Sequence, residues 1–268
     1  MSTSSSFQVI SSLRYDPSLA ATVQRHAADS YPDPLRSPYY LIPYHLDRLR
    51  DAAECFQWVK AQEFLEQDLA QFIQFLNSFI PDQTKPWRLR IVLDCNGSCT
   101  VEPSPVTSTD IRNFLLPLPC DSDSLAGEWR VYVDSQFTTP SSFTKHKTTV
   151  RDNYAEARLR SGIVSPLEQA EVLVVNPQGS IMEGSITTPY FRRRRPASTA
   201  GDDPGPEWTT PLLSCGGNSG TTRRYAIAQG FCTEGVINAH DLVDGEECWL
   251  SNGVRGFIRG RIVLSSKP

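Results

Sequence analysis

The sequence contains no long apolar run, and none of its hydrophobic stretches approaches the ~20 residues that a membrane-spanning helix needs. It also lacks a basic excess, since 26 Lys and Arg stand against 30 Asp and Glu, with a formal net charge of -4 and a pI near 5.6. Nucleic acids and anionic membranes bind basic surfaces, so we expect neither as a partner. The first six residues lack the basic and apolar regions of a signal peptide, and we expect a cytoplasmic protein.

The cysteines and histidines follow no spacing that is typical of a disulfide-bonded fold, a zinc site or a catalytic triad. The seven cysteines follow no disulfide spacing, which favours reduced thiols in a cytosolic compartment. Cys95 and Cys99 flank an Asn-Gly turn, but no second Cys/His pair has a spacing suited to zinc, so we predict no metal site. The four histidines are scattered, and no Ser-His-Asp arrangement can be inferred from them. Hydrolase chemistry therefore has no positive support.

The composition is that of a globular protein with a substantial core, with 268 residues that are 39% hydrophobic and 21% charged. Residues 117–127 are rich in turn-forming residues, which is typical of a linker between domains. The sequence therefore predicts a small N-terminal domain over residues 1–118, a linker over residues 119–128 and a larger C-terminal domain over residues 129–268.

Apolar periodicity predicts the elements of the N-terminal domain. Strands are expected at residues 7–15, 87–95 and 99–102, of which the last two flank the Asn-Gly hairpin turn. Helices are expected at residues 44–57 and 61–79, where apolar residues recur every three or four positions.

Strand patterns dominate the C-terminal domain. They are expected at residues 130–137, 170–176, 180–191, 247–250 and 256–264, with helices at residues 153–161 and 221–229. Residues 192–206 begin with four arginines and continue with Pro, Gly and Asp. Given the acidic balance of the chain, we expect an exposed loop there rather than a nucleic-acid-binding patch.

Lysine is scarce, which narrows the search for a nucleophilic amine. Three of the lysines are expected to be solvated: Lys60, Lys85 and Lys267. The neighbours Lys145 and Lys147 remain. A lysine nucleophile must be partly deprotonated through burial or a nearby cation, and Arg151 lies one helical turn after Lys147, with Tyr154 further along the same helix. The alternative for this segment is an ordinary surface lysine before a helix.

Glu183 lies in an apolar strand pattern between Met182 and Ile186. A carboxylate in such a strand is costly unless it has a partner. Small Gly184 and Ser185 adjoin it and would allow a flat ring to lie against the backbone. The alternative is an outward-facing glutamate of a hairpin.

A Gly/Ser turn over residues 215–220 opens a helix at Gly220, Thr221 and Thr222. Free amides and the helix dipole make such a turn an anion site. It resembles a nucleotide-binding P-loop only faintly, because no lysine precedes the Ser/Thr position. The alternative is a plain N-capped helix.

Two further segments supply arginines. Arg48, on the first predicted helix after the opening strand, offers a planar fork for phosphate oxygens, although it also suits a surface salt bridge. Asn252, Gly253, Val254 and Arg255 form a tight turn after an apolar strand. This turn suits a substrate carboxylate, and its alternative is a simple hairpin turn.

An amine, a carboxylate in an apolar strand and the amides of a Gly/Thr turn are the groups that pyridoxal 5'-phosphate (PLP) requires. In their order along the chain, these segments resemble the fold-type IV PLP enzymes, the class IV aminotransferase family, and most closely its 4-amino-4-deoxychorismate lyase-like members. The resemblance covers nearly the whole chain. It implies an α+β fold with a small N-terminal α/β domain and a larger β-barrel-like α/β domain, a homodimer and active sites between the two domains.

The resemblance also implies roles for individual residues. Arg48 binds the cofactor phosphate, and Glu183 meets the pyridine nitrogen. The family's spacing to Arg151 and Tyr154, which line the cofactor site, selects Lys147 as the Schiff-base lysine and proton shuttle. The other implied cofactor-binding residues are Gly184, Ser185, Thr187, Thr188, Gly220, Thr221 and Thr222. The implied substrate-binding residues are Ser12 and Arg14 on the first strand, with Asn252, Gly253, Val254 and Arg255.

The chain departs from the family pattern in three places, one of which is the stretch of residues 192–206, which looks like an insertion. Thr187 and Thr188 stand where an asparagine usually follows the Glu-Gly-Ser motif, and the usual Gly-Asp-Gly segment before the first strand is missing. The resemblance implies a lyase that forms p-aminobenzoate and pyruvate from a small-molecule amino substrate. The alternatives are a transaminase of D-amino acids or (R)-amines with a keto acid acceptor, and a non-enzymatic α/β interaction module.

Overall fold

The computed structural model describes residues 7–106, 109–118, 127–165, 167–194 and 206–264. The fold belongs to the predicted α+β class and clusters into two compact units. Unit 1 comprises Met1–Leu115, Ser142–Arg151 and Gly253–Arg255, and unit 2 comprises Leu116–Ser141, Asp152–Asn252 and Gly256–Pro268. Every helix in the described ranges is too short or too polar to traverse a lipid bilayer.

Unit 1 contains a three-stranded antiparallel sheet. Its strands are β1 (Val9–Tyr15), β2 (Trp87–Leu93) and β3 (Cys99–Pro105), paired in that order. Strands were predicted near all three positions. Every residue of β1 is buried, so this strand carries polar side chains into the interior of unit 1.

The α-helices of unit 1 in the described ranges are α1 (Leu19–His26), α2 (Ile42–Cys55), α3 (Val59–Leu65), α4 (Leu69–Asn77) and α5 (Ser142–Lys145), and a short 3-10 helix spans Ile111–Phe114. Helix α2 confirms the predicted helix at residues 44–57, whereas α1 was not predicted. Apolar side chains of α2 and of the sheet share one core, which includes Leu13, Leu46, Leu49, Leu89 and Ile91.

The single helix predicted over residues 61–79 is wrong, because the chain forms α3 and α4 with a break between them. Asp68 and Gln71 form a capping box at the start of α4. The Asp68 carboxylate accepts from Gln71 N at 2.8 Å, and Gln71 Oε1 accepts from Asp68 N at 3.0 Å. Such a box satisfies the first amides of a new helix and so starts one.

Residues 142–151 cluster with unit 1, although they follow the predicted domain boundary. Backbone hydrogen bonds explain this grouping: Ile10 N donates to Lys147 O at 2.8 Å, and Thr149 N donates to Gln8 O at 2.9 Å. The segment that carries the candidate nucleophile is therefore paired to β1. Most of the predicted linker, residues 119–126, lies outside the described residues.

Unit 2 contains an eight-stranded mixed sheet. Its strands are β4 (Trp129–Phe137), β5 (Ala170–Val175), β6 (Ile181–Gly184), β7 (Thr188–Arg194), β8 (Pro206–Pro211), β9 (Thr233–Gly235), β10 (Glu247–Asn252) and β11 (Gly256–Ile262). They pair in the order β6-β5-β4-β11-β10-β7-β8-β9. β4 runs parallel to β5 and β11, and β8 runs parallel to β9. The helices α6 (Asp152–Arg160) and α7 (Thr221–Ala228) lie close to their predicted positions.

The single strand predicted over residues 180–191 is also wrong, because β6 and β7 are separate strands. β6 forms a hairpin with β5, and β7 pairs with β10 and β8. Between them, the amides of Ser185 and Ile186 donate to the carboxylate of Glu171 at 3.0 and 3.1 Å. These bonds take residues 185–187 out of a continuous strand.

The predicted exposed loop at residues 192–206 is partly strand. β7 extends through Arg194 and β8 begins at Pro206, while residues 195–205 lie outside the described residues. Arg192 is exposed, as expected. Arg193 is partly buried, and its guanidinium pairs with Glu246. At least one of the four arginines is therefore in an ion pair.

Candidate active site

The predicted site residues are distributed over both units. Unit 1 holds Ser12, Arg14, Arg48, Lys147, Arg151, Gly253, Val254 and Arg255. Unit 2 holds Tyr154, Glu183, Gly184, Ser185, Thr187, Thr188, Gly220, Thr221, Thr222 and Asn252.

Lys147 follows α5 in unit 1, with its carbonyl held by β1. Its side chain is half-buried, whereas Lys145, the last residue of α5, is exposed. The next residue, Thr148, is fully buried, and its Oγ1 accepts from Val150 N at 3.2 Å. The two candidate lysines thus differ in burial in the direction that a lysine nucleophile requires.

Arg48 is buried on α2, and its guanidinium donates to Ser11 Oγ on β1. Ser11 Oγ also lies 2.7 Å from Nδ1 of His45, which is three residues earlier on α2. The pKa of His45 is well below its usual value, first because the ring is buried and then because Arg48 and Lys147 are positively charged. Both cations therefore act on one neutral imidazole within unit 1.

Ser12 and Arg14 are buried on β1. Arg14 donates to Asp16 Oδ2 from Nε at 3.0 Å and from Nη2 at 2.8 Å, and its guanidinium carbon lies 4.8 Å from the centre of the Phe114 ring. Its backbone N–H donates to Gly253 O at 3.0 Å. The guanidinium is thus part of a buried ion pair, and β1 holds the turn that contains the predicted substrate-binding residues 253–255.

Glu183 lies on β6, opposite Val174 of β5, which confirms its predicted place on a hairpin. Its side chain is half-buried, and its Oε1 accepts from Tyr154 OH of α6 at 2.5 Å. Tyr154 is itself buried in an apolar cluster that includes Met182. The carboxylate is therefore fixed by a buried tyrosine, which the alternative of an outward-facing glutamate does not explain.

Glu171 is the residue of this region that sequence reasoning missed. Its fully buried carboxylate on β5 accepts from Ser185 N at 3.0 Å, Ser185 Oγ at 2.5 Å, Ile186 N at 3.1 Å and Thr187 Oγ1 at 2.7 Å. A buried carboxylate is stable only when such donors surround it. The turn that directly follows Glu183 on the chain is therefore built around a second carboxylate.

Two more residues complete this turn. Arg158 of α6 donates to Ser185 Oγ at 3.1 Å, and its Nη1 lies 3.8 Å from Glu171. A Cβ on Gly184 would lie 2.5 Å from Thr187 Oγ1 and 2.9 Å from Glu171 Oε2, so only glycine fits at this position.

We expect Glu171→Ala to destabilise the protein by about 3–5 kcal/mol, because several buried donors lose their acceptor and Arg158 loses a nearby carboxylate. Urea unfolding of the whole chain measures this difference. The control is Glu156→Ala on α6, whose side chain is 65% exposed and pairs with Arg160 at 3.5 Å. That pair should be worth only about 0.3–0.5 kcal/mol. Equal, small losses in both variants would contradict the arrangement around Glu171.

The Gly/Thr turn leads into α7, which starts at Thr221 and has Gly220 as an N-cap without a side-chain capping bond. Thr221 Oγ1 is buried and has no hydrogen-bond partner within the described ranges. A Cβ on Gly217 would lie 2.3 Å from Met182 O and 3.3 Å from Glu183 Cβ, so the turn packs closely on β6. Amides at a helix start, together with this hydroxyl, suit an anion such as a phosphate.

Thr222 belongs to a buried chain of hydroxyl groups. Ser251 Oγ donates to Thr222 Oγ1 at 2.7 Å and lies 2.8 Å from Tyr190 OH. Thr188 is also next to the turn, since its Oγ1 would lie 3.0 Å from a Cβ on Gly220. The hydroxyls of Thr222 and Thr188 therefore lie at the start of α7.

Asn252 is the last residue of β10. Its Nδ2 donates to Ile186 O at 3.4 Å, in the turn around Glu171. Arg151, Val254 and Arg255 are half-buried in unit 1.

Residues 36–263 match the profile of the family described as Amino-transferase class IV. The chain belongs to this family. The resemblance predicted from the motifs is therefore confirmed, and with it the membership of an enzyme family.

A curated relative lies in the lyase branch. Over 202 residues the chain is 31% identical to the aminodeoxychorismate lyase of Saccharomyces cerevisiae. The match covers 66% of this chain and 51% of the yeast protein. The chain thus spans about half the length of that relative.

Solved structures share the fold. A proposed amino-acid aminotransferase from Mesorhizobium loti has a TM-score of 0.65 at 23% identity and covers 96% of this chain and 100% of its own. The branched-chain amino acid aminotransferase of Escherichia coli has a TM-score of 0.60 at 15% identity, covering 97% and 77%. A proposed 4-amino-4-deoxychorismate lyase from Legionella pneumophila has a TM-score of 0.65 at 12% identity, covering 96% and 83%. The predicted fold-type IV architecture is confirmed.

Proposed function

We propose that the protein is a PLP-dependent lyase that converts 4-amino-4-deoxychorismate into p-aminobenzoate and pyruvate, a step in the synthesis of folate precursors. The observation that carries this proposal is the 31% identity to a yeast aminodeoxychorismate lyase over 66% of the chain. Membership of the class IV aminotransferase family supports the cofactor.

The residues present fit PLP. The cofactor needs an anion site, an acidic partner for its ring nitrogen and an amine. The buried Thr221 Oγ1, with no hydrogen-bond partner in the described part of the chain, lies at the start of α7 and suits a phosphate. Glu183 supplies a fixed carboxylate, and Lys147 supplies a half-buried amine. When bound, PLP supplies an electron-withdrawing ring that stabilises negative charge on the carbon next to the substrate amine.

In this proposal the residues of unit 1 bind the cofactor phosphate and supply the reactive amine. Arg48 donates to phosphate oxygens, as a guanidinium does in its strongest contacts. Lys147 would hold the cofactor through its Nζ, and the same amine would serve as the base that acts on the substrate. Arg151 lines the cofactor site, as the family resemblance implies. The positive charges of Arg48 and Lys147 lower the pKa of His45, which lies in the same unit.

In this proposal the residues of unit 2 hold the ring and the phosphate. Glu183 keeps the ring nitrogen protonated, with its carboxylate oriented by Tyr154 at 2.5 Å. The amides and hydroxyls at the start of α7 bind phosphate oxygens. The family resemblance implies cofactor contacts for Ser185, Thr187 and Thr188. Ser185 and Thr187 belong to the turn around Glu171, and Thr188 directly follows it.

The reaction requires the removal of one ring proton, the cleavage of one C–O bond and the protonation of the released enolpyruvate. Lys147 Nζ removes the proton from the substrate ring carbon that bears the 4-amino group. The bond between the neighbouring ring carbon and the enolpyruvyl oxygen then breaks, and the enolpyruvate takes up a proton to become pyruvate. Aromatisation of the remaining ring to p-aminobenzoate supplies the driving force.

We infer that the substrate carboxylates are bound by the turn of Asn252, Gly253, Val254 and Arg255. Ser12 and Arg14 remain proposed contributors. The N–H of Arg14 holds Gly253 O at 3.0 Å, so β1 determines where this turn lies within unit 1. A homodimer in the cytoplasm completes the proposal, as the family resemblance implies.

The second candidate is a class IV transaminase that acts on D-amino acids or (R)-amines with a keto acid acceptor. The fold shared with the E. coli branched-chain aminotransferase favours it, because the same lysine serves both chemistries. In a transaminase, Lys147 would return the proton to the cofactor side instead of allowing pyruvate to leave.

The test is stoichiometric. Purified protein with PLP and 4-amino-4-deoxychorismate should form equal amounts of p-aminobenzoate and pyruvate without any amino acceptor. Amino transfer from D-alanine or an (R)-amine to a keto acid, with no p-aminobenzoate formed, would establish the transaminase instead.

Arg48→Ala should weaken PLP binding by about 1.5–3 kcal/mol, roughly ten- to a hundredfold, because a charge-assisted contact is lost. Thr222→Ala should weaken binding less, because the amides of the turn remain. Thr222→Ala should also lower stability by about 1 kcal/mol, since Ser251 loses its acceptor. Equilibrium titration with PLP measures both variants. Unchanged affinity in Arg48→Ala would show that this arginine does not hold the phosphate.

A further inference from the structure

A buried polar relay lies behind Arg48 in unit 1. Nη2 of Arg48 donates to Ser11 Oγ, which in turn lies 2.7 Å from Nδ1 of His45. Ser11 and His45 are 0% exposed, and Arg48 is 7% exposed. The partner of this arginine is thus itself held by a third residue, away from solvent.

The hydrogen bond between Arg48 and Ser11 has only one possible direction. A guanidinium can donate hydrogen bonds but not accept them, so Ser11 Oγ accepts from Arg48. The direction of the bond between Ser11 and His45 depends on the imidazole tautomer: with the ring proton on Nε2, Nδ1 accepts the hydroxyl hydrogen of Ser11. In this neutral tautomer the Ser11 hydroxyl has an acceptor, and Ser11 Oγ keeps Arg48 as its donor.

The surroundings of His45 keep it neutral. Burial lowers the pKa of the imidazole, and the charges of Arg48 and Lys147 lower it further. Protonation would place a hydrogen on Nδ1 and remove the acceptor that Ser11 needs. The burial and the two cations thus keep the imidazole neutral, as Nδ1 requires in order to accept from Ser11.

The imidazole is also confined in position. A Cβ on Gly253 would lie 2.8 Å from His45 Cε1, 2.9 Å from His45 Nε2 and 2.9 Å from Ser12 O. The fully buried ring therefore packs closely against the turn of residues 253–255, where only a glycine leaves space for it.

We propose that Ser11 and His45 are positioning residues that hold the guanidinium of Arg48 in the orientation that binds the cofactor phosphate. This inference rests on the role of Arg48 in the proposed function. An arginine side chain has several rotatable bonds. If they are fixed before the ligand arrives, less conformational entropy is lost on binding.

The test compares two ligands and two matched variants. Asn and Leu at position 45 have nearly the same size. The Oδ1 acceptor of Asn lies two bonds from Cβ, as Nδ1 of His45 does, whereas Leu has a methyl group at that place. In the full chain freed of cofactor, fluorescence titration gives the affinities for PLP and for pyridoxal, which has no phosphate. His45→Leu should bind PLP about three- to tenfold more weakly than His45→Asn, with equal affinities for pyridoxal.

Ser11→Ala provides a second, independent variant and should show the same selective loss for PLP. The double variant Arg48→Ala/His45→Leu should bind PLP no more weakly than Arg48→Ala, because the relay acts only through the arginine. Additive losses, equal losses for PLP and pyridoxal, or equal PLP affinities for His45→Leu and His45→Asn would overturn the proposal. Normal PLP affinity in Arg48→Ala would instead refute the phosphate role of Arg48 itself.

Discussion

Lys147→Ala is expected to lower turnover by about 10⁴-fold or more, because one substitution removes both the covalent attachment of the cofactor and the group that moves the proton. The variant should also lose the visible absorption band of lysine-bound cofactor. Lys145→Ala is the matched control, since this lysine is exposed on the same segment. Its activity should stay within about twofold of the parent, as for most surface substitutions.

The fold should survive in Lys147→Ala. The segment is attached to β1 through backbone atoms, namely the hydrogen bonds of Ile10 N to Lys147 O and of Thr149 N to Gln8 O, which a side-chain truncation does not remove. With the cofactor removed from both proteins, the thermal unfolding midpoint should therefore be close to that of the parent. An inactive protein with parental stability separates a chemical role of the amine from a structural one.

Borohydride reduction followed by peptide mapping locates the covalent attachment directly. The pyridoxyl group should lie on Lys147. An adduct on Lys145, or the absence of any adduct in protein that binds PLP, would contradict the assignment.

Local sequence patterns were sufficient for the elements that carry the candidate site. The Asn-Gly hairpin of β2 and β3, the alternation in β1 and the Gly-rich start of α7 are all signalled within a few residues. Glu183 was also placed correctly on a hairpin, because an apolar strand, a turn and a second strand follow one another in the chain.

Breaks within apolar segments were harder to predict. The apolar stripe of residues 61–79 continues across the junction of α3 and α4, and only the capping box of Asp68 and Gln71 marks the new helix. That box is visible in the sequence as Asp-x-x-Gln. A search for caps inside long periodic segments would have found it.

Contacts between distant segments were beyond local patterns. Glu171 is visible as one carboxylate in the apolar strand Ala170–Val175. Apart from the neighbouring amide of Val172, its hydrogen-bond donors lie fourteen to sixteen residues later, in residues 185–187. Similarly, the spacing of His45 and Arg48 on α2 is readable, whereas their shared partner Ser11 comes from another element. Such buried polar partners depend on the tertiary fold.

Glu183→Gln is expected to retain PLP but slow proton abstraction by roughly 10²- to 10³-fold. Glutamine has nearly the same shape as glutamate, and its carbonyl oxygen can still accept from Tyr154 OH, so the local structure should persist. The neutral amide, however, cannot keep the ring nitrogen protonated, and the ring then withdraws electrons less strongly.

The matched control is Tyr154→Phe, which removes the 2.5 Å hydrogen bond to Glu183 and keeps the negative charge. The orientation of the carboxylate would loosen while its charge still faces the ring, so the rate should fall by about tenfold or less. Single-turnover measurements with substrate deuterated at the abstracted position isolate the proton transfer in both variants. The isotope effect should grow in Glu183→Gln, because proton removal then limits the rate. An undiminished rate in Glu183→Gln, with normal PLP affinity, would mean that the charge of this carboxylate does not act on the ring, and that Tyr154 and Glu183 form a structural pair.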